Sequence, residues 1–244
     1  MRKISKSNPV PIYHQLKEIL QEMIDNEELK PNDPIPTERE LCEIHGISRM
    51  TAREAIMSLV NEGVLYREQG RGTYVAQPKP KHQLSELKGL TEHMEQMGHK
   101  VDTQIISFDI IDAPKNIAKE LKLKAGQEKV IELQRLRIVD QVPYAIETVW
   151  LNHAICFNLT RECIEGHSLY KVLRERYSLI PHYARQTVEP IKLSDYEGNL
   201  LGLELDALAL LFRRTTYSID EEIIEYTKAI YRIDKHKFEI YLKA

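Results

Sequence analysis

The chain is poor in cysteine, glycine and large aromatics, with three Cys, ten Gly, one Trp and four Phe in 244 residues. Each scarcity narrows what it can be. Cys42, Cys156 and Cys163 are odd in number and lack CxxC spacing, which argues against a disulfide framework or a zinc site and for a reducing cytoplasm. Cys42 falls at an apolar helical position and reads as core. No run approaches the roughly 18 consecutive apolar residues of a membrane span. The opening MRKISKSNPVPIYHQL has early basic residues but no apolar h-region or small-residue cleavage site, so neither a signal peptide nor a membrane partner is expected. There is no phosphate P-loop, nucleophile elbow or metal-ligand cluster, and so no cofactor or metal is expected. A surplus of positive charge is missing as well: residues 1–78 carry ten Lys and Arg against twelve Asp and Glu, a net of −2. Any phosphate binding there must come from a local cluster of side chains, not from the field of a whole domain.

What is present is an ordinary globular composition, 42% hydrophobic and 29% charged, in a chain long enough for two cores. From Ile12 to Asp25 the apolar residues Ile12, Tyr13, Leu16, Ile19, Leu20, Met23 and Ile24 recur at three- and four-residue steps, as one buried helix face requires. After the Pro-rich turn Lys30–Pro36, Thr37 with Glu40 forms the pattern of a capping box opening a short helix to about His45. Gly46 ends that helix, Ser48 caps another running to about Glu62, and Gly63 stops it. Two short alternating runs around Gln69-Gly-Arg-Gly predict a β-hairpin. The polar, Pro-rich 77–83 stretch reads as a linker between a domain over 1–76 and another over 84–244.

The second region predicts a mixed α+β pattern. Helices are expected at Leu84–Met97, Pro114–Leu121, Leu169–Arg176 and Asp195–Leu201. Strands are expected at Gln104–Ile111, Val130–Val139, Tyr144–Leu151, Ala184–Ile191, Leu208–Ser218, Ile223–Ile233 and Phe238–Leu242. Arg135 followed by Glu147 is echoed by Arg213 followed by Glu225, each pair twelve residues apart within a helix–strand–strand unit. That spacing predicts two similar halves around a pseudo-twofold; the alternative is that shared α–β–β geometry produces the likeness unaided.

A helix ending at Gly46 and another capped by Ser48 have the spacing of a helix-turn-helix, whose second helix enters the major groove by its N-terminus. Ser48, Arg49, Thr51 and Arg53 fall in its first turns. Arginines suit guanine edges or phosphate, and hydroxyls with free helix-start N–H groups suit phosphate oxygens. Arg39 lies on the preceding helix. Arg71 stands between Gly70 and Gly72, which permit close approach of backbone to a duplex. Taken singly, each arginine is better explained as a solvated surface charge. The ordered set carries the DNA reading.

Pro11-Ile-Tyr-His-Gln-Leu, Pro36-Thr-Glu-Arg-Glu-Leu, Ile47-Ser-Arg-Met-Thr-Ala-Arg-Glu-Ala, Leu59-Val-Asn-Glu-Gly-Val-Leu and Gly70-Arg-Gly-Thr-Tyr-Val together resemble the winged helix-turn-helix domain of the GntR family of bacterial regulators. The resemblance implies DNA contacts from Arg39, Arg49 and Arg53, a wing tip at Gly70 and Arg71, and a homodimer on double-stranded operator DNA with an inverted repeat.

Residues 84–242 resemble the UTRA effector-binding domain of the HutC subfamily, a chorismate-lyase-like fold with an antiparallel sheet. The strongest likeness is to regulators of N-acetylglucosamine utilisation. It is carried by Gly89-Leu-Thr, Arg135-Leu-Arg, Pro143-Tyr-Ala-Ile-Glu, Ser168-Leu-Tyr, Val188-Glu-Pro, Arg213-Arg-Thr-Thr-Tyr and Tyr231-Arg-Ile-Asp. It implies an amino-sugar 6-phosphate as inducer. Thr91, Arg135, Arg137, Ser168 and Tyr170 would hold the phosphate, and Glu147 and Tyr231 would meet the sugar; Glu225 joins them as the second carboxylate. His236, where relatives more often carry Tyr, and a Ser168–Pro181 segment one residue longer than the family pattern depart from it.

Independently of that likeness, Arg135 and Arg137 are two apart on a strand and so project from one face, an arrangement suited to a phosphate. The alternative is an internal network with Glu147 and Glu225. Other expectations remain open at this stage: a different phosphosugar or an unphosphorylated effector, a DNA binder without any ligand, or an enzyme using Glu147 and Glu225 as a carboxylate pair or a lyase-like fold. An attached DNA reader makes sensing the simpler expectation.

Overall fold

The computed structural model describes residues 3–5, 8–78, 87, 89–126, 128–204, 206–234 and 237–240, together with the backbone of 81–83. His236 lies outside the described residues. The chain divides into two compact units, Met1–Pro80 and Lys81–Ala244.

In the first unit, α1 (Ile12–Asp25) buries Leu16, Ile19 and Leu20. The side chain of the buried Gln15 anchors the preceding segment, donating to the Val10 and Ser5 carbonyls at 2.7 and 3.0 Å and accepting from the Ser5 N–H at 3.0 Å. The capping box at the start of α2 (Glu38–His45) forms as the sequence predicts: Thr37 N–H donates to Glu40 Oε2 at 2.8 Å, and Glu40 N–H donates to Thr37 Oγ1 at 3.3 Å. Gly46 closes α2 at φ +63°, a left-handed conformation that glycine adopts without a Cβ penalty. Ser48 caps α3 (Arg49–Asn61) by accepting the Thr51 N–H at 3.2 Å. Strands β1 (Leu65–Glu68) and β2 (Gly72–Val75) form the wing, with Glu68 opposite Gly72 and Gln69-Gly70-Arg71 at its tip. Leu16, Leu20, Ile35, Leu41, Ala52, Ala55, Ile56, Leu59, Leu65 and Val75 make one core.

In the second unit, β3 (Lys81–Gln83) pairs in parallel with β10 (Lys237–Glu239), the last strand among the described residues. Three residues of the stretch that reads as a linker are therefore strand. Helix α4 (Leu90–Gln96) starts after Gly89, later than the expected Leu84; residues 84–86 and 88 lie outside the described set. There follow β4 (Val101–Asp112), α5 (Lys115–Glu120), β5 (Lys129–Val139), β6 (Val142–Asn152), a short α6 (Arg161–Ile164) absent from the sequence expectation, α7 (Leu169–Tyr177), β7 (Tyr183–Lys192), α8 (Asp195–Leu201), β8 (Leu208–Tyr217) and β9 (Ile223–Arg232). The β5–β6 turn is only Asp140-Gln141, both at positive φ, as a tight hairpin requires. Pro143 lies within β6, beside a register shift at Arg137/Ile138.

The antiparallel sheet runs β4-β5-β6-β9-β8-β7. Units β4-α5-β5-β6 and β7-α8-β8-β9 thus meet at β6 and β9 with like order on either side. Glu147 and Glu225 each stand two residues from the facing pair Val149 and Thr227, so the pseudo-twofold holds for the carboxylates. It fails for the arginines. Arg135 faces Glu147, whereas Glu225 faces Thr216, and Arg213 lies opposite Lys228. The longer β8–β9 loop shifts that hairpin's register, which turns Arg213 to the other face, where it pairs with Glu189. Alternation along β6 sends Ile146 and Trp150 toward α8 and α5. It sends Ala145, Glu147 and Val149 toward the face covered by α4 and α7.

Candidate effector pocket and nucleic-acid interface

The pocket lies on that second face. Strands β5, β6, β8 and β9 form its floor, and the helix starts Gly89-Leu90-Thr91 and Ser168-Leu169-Tyr170 form its wall, around a cavity of about 60 Å³. Thr91, Arg135, Arg137, Glu147, Ser168, Tyr170, Glu225 and Tyr231, singled out in the sequence from five separate segments, all line it. So do Gly89, Leu90, Val149, Leu169, Thr227 and Arg214. A Cβ at Gly89 would meet the Tyr170 ring at 3.6 Å and Ser168 Oγ at 3.9 Å, ordinary van der Waals contact. Arg214 was hidden by the Arg213–Glu225 spacing; alternation from the buried Phe212 is the signal that points to it.

Two polar networks divide the site. Glu147 Oε2 accepts from Arg135 Nη2 at 2.9 Å and from Arg137 Nη1 at 3.3 Å, and Arg137 Nη2 donates to Thr91 Oγ1 at 2.5 Å. Across the sheet, Tyr170 O–H donates to Glu225 Oε1 at 2.5 Å and Thr216 O–H donates to the same oxygen at 3.1 Å. Arg214 Nε donates to Gln186 Oε1 at 2.7 Å. Arg135, Arg137, Glu147 and Glu225 are all buried.

The two carboxyls are driven apart. Burial raises Glu147, but the Arg137, Arg135 and Arg214 guanidiniums outweigh it and hold the group below its usual range. For Glu225 burial prevails over the bond from Tyr170 and the Arg214 charge, and its pKa is raised. Burial and the neighbouring Glu225 push the Tyr170 hydroxyl upward, so it stays a donor. Among the described residues the pocket sets three guanidiniums against two carboxyls, one with its pKa lowered and the other with its pKa raised. Arg135 Nε and Nη1 and Arg137 Nε, all buried, have no acceptor. Buried donors without acceptors cost about 1–3 kcal/mol each.

In the first unit, Arg39 and Arg49 are 82% and 80% exposed, with only loose contacts to Glu43 (3.7 Å) and Glu38 (3.5 Å). Arg53 is exposed on α3. Arg71 is 76% exposed at the wing tip, 3.1 Å from Glu68, between Gly70 at φ +75° and Gly72 at φ +133°. Ser48 and Thr51 hold each other, hydroxyl to hydroxyl, at 2.8 Å. Ser48 also caps the helix, and each hydroxyl keeps part of its hydrogen-bonding capacity. Arg39, Arg49, Arg67 and Arg71 border one groove between α2, α3 and the wing. Among the described residues no cluster of His, Cys, Asp or Glu is placed to hold a metal ion, and no helix is long and apolar enough to cross a membrane.

Comparison with known proteins matches both units. The model for bacterial regulatory proteins of the gntR family covers residues 12–75, and that for the UTRA domain covers residues 96–237. The HTH-type transcriptional repressor NagR of Bacillus subtilis is 40% identical over 243 residues, 98% of each chain. The mannosyl-D-glycerate transport/metabolism system repressor MngR of Escherichia coli is 27% identical over 94% of this chain and 95% of that one. The crystal structure of PhnF from Mycobacterium smegmatis superposes with a TM-score of 0.66 at 28% identity, covering 93% of this chain and 99% of that one. With a winged helix-turn-helix in one unit and a UTRA sheet in the other, the chain belongs to the GntR family and is a DNA-binding transcription repressor of its HutC type.

Proposed function

We propose that the second unit binds an amino-sugar 6-phosphate, glucosamine 6-phosphate or N-acetylglucosamine 6-phosphate, and that this ligand lowers the affinity of the homodimer for an inverted-repeat operator. One observation carries the reading: two buried guanidiniums on one strand face with N–H groups still to be satisfied, beside the Thr91 and Ser168 hydroxyls. A phosphate accepts bonds from several such donors at once. The start of α7, where Ser168 makes no side-chain cap bond, adds free N–H donors. Glu147 and Tyr231 then face the sugar. The likeness to NagR supports the amino sugar, and MngR, named as the repressor of a mannosyl-D-glycerate system, is a related chain that serves a different carbohydrate.

The protein acts in the cytoplasm, beside its operator, as a sensor without catalytic turnover. The carboxyls that suggested an enzyme are each engaged, Glu147 by two arginines and Glu225 by Tyr170 and Thr216. Calorimetric titration with both sugar phosphates, and with unphosphorylated glucosamine, tests the reading. Binding of at least one phosphate ester and none of the free sugar is expected. Absence of heat with both esters would remove the proposed inducer.

A further inference from the structure

Helix α3 turns one large apolar side chain to solvent: Met50 is 73% exposed. The helix buries Ala52, Ala55, Ile56 and Leu59. At about 100° per residue, the opposite arc carries Arg49, Arg53, Met50 and Glu54 in that angular order, and all four are exposed. A single exposed hydrophobe is ordinary on a protein surface. This one stands in the first turn of a DNA-reading helix, the part that meets base edges, beside two cations that draw that arc onto the duplex.

A thioether side chain has no strong donor or acceptor to offer phosphate or a base edge. In a major groove its complementary partner is the thymine 5-methyl group, the apolar feature that the groove presents. Met is also unbranched and flexible enough to settle against it. Glu54, at the far rim of the arc, is repelled by phosphate and is compatible with a cytosine amino group. That places Met50 over the floor of the groove and not over the backbone.

We propose that Met50 is a specificity-determining residue that reads a thymine in each operator half-site through its 5-methyl group. The inference rests on the DNA binding of this unit and is independent of the effector. To test it, operator duplexes are selected from a randomised pool with the full-length protein, and each thymine is replaced singly by deoxyuridine, which removes only the methyl. Wild-type affinity is expected to fall about fourfold at one thymine per half-site, the effect of one buried methyl group. Met50→Ala is expected to erase that penalty and Met50→Leu to retain it. Penalties from 7-deazaguanine, which report arginine contacts, are expected to persist in both variants. Wild-type indifference to every deoxyuridine, or a thymine penalty undiminished in Met50→Ala, would overturn the assignment.

Discussion

Replacing Arg49 with alanine is expected to weaken operator binding by roughly 1000-fold while leaving sugar-phosphate binding unchanged. A bidentate arginine–guanine contact discriminates by about 1–3 kcal/mol. The proposed two-fold dimer on an inverted repeat would lose that contact twice, about 4 kcal/mol at the middle of the range. The side chain is 80% exposed, and its one neighbour, Glu38, also receives Arg67 at 2.9 Å. Removing Arg49 therefore leaves no buried group unpaired and should not disturb folding. Fluorescence anisotropy on the selected operator and calorimetry with the sugar phosphate measure the two arms. Loss of both activities together would mean that the DNA reader and the pocket are not separable.

The second large effect concerns the pocket. Glu147→Ala leaves Arg135 and Arg137 buried without their carboxylate, and breaking a buried pair in this way costs about 3–5 kcal/mol. In a unit of this size that lowers the melting temperature by about 10 °C. Inorganic phosphate or sulfate should restore more stability to the variant than it adds to the wild type, because the anion takes over the role of the missing carboxylate. The pH dependence has a defined sign. The folded-state pKa of Glu147 lies below its ordinary value, so its contribution is present above the unfolded pKa of about 4.5 and is lost as pH falls through the folded value. The variant should lack that part of the acid-limb loss. Thermal unfolding from pH 3 to 8 reads all of this. A variant as stable as the wild type at pH 7 would show that Glu147 does not neutralise the arginines.

Local signals in the sequence were strong wherever one residue decides a conformation. Thr37 with Glu40, Gly46, Ser48 and Gly63 bounded the helices of the first unit, and strand alternation located the sheet of the second. Of the eight pocket residues, the family resemblance implied Thr91, Arg135, Arg137, Glu147, Ser168, Tyr170 and Tyr231; the residues by themselves marked Arg135 and Arg137, two apart on one strand, Ser168 before a helix, and Glu147 and Glu225 by their repeated spacing. What was hidden depended on register. A spacing of twelve residues looked alike in both hairpins, yet the longer β8–β9 loop slips one pairing, so Arg213 faces away and Arg214 faces in. A one-residue change reverses the face of a strand, and spacing alone does not reveal it. The β3–β10 pairing was equally invisible, because Lys81-His-Gln is polar and its partner lies more than 150 residues away. That Glu147 holds both guanidiniums matches the internal network the sequence offered as the alternative to phosphate, and it follows from the β5–β6 pairing that sets Arg135 opposite Glu147.

The claim that joins the two units is that a buried anion-binding pocket controls a DNA reader. Its direct test is the affinity of the sugar phosphate for the protein alone and for the protein saturated with operator duplex, measured by calorimetry in one buffer. Linkage requires that operator weaken sugar-phosphate binding by the same factor by which the sugar phosphate weakens operator binding. The account predicts lower affinity in the complex, matched by that reciprocal factor. Equal affinity with and without operator would contradict it.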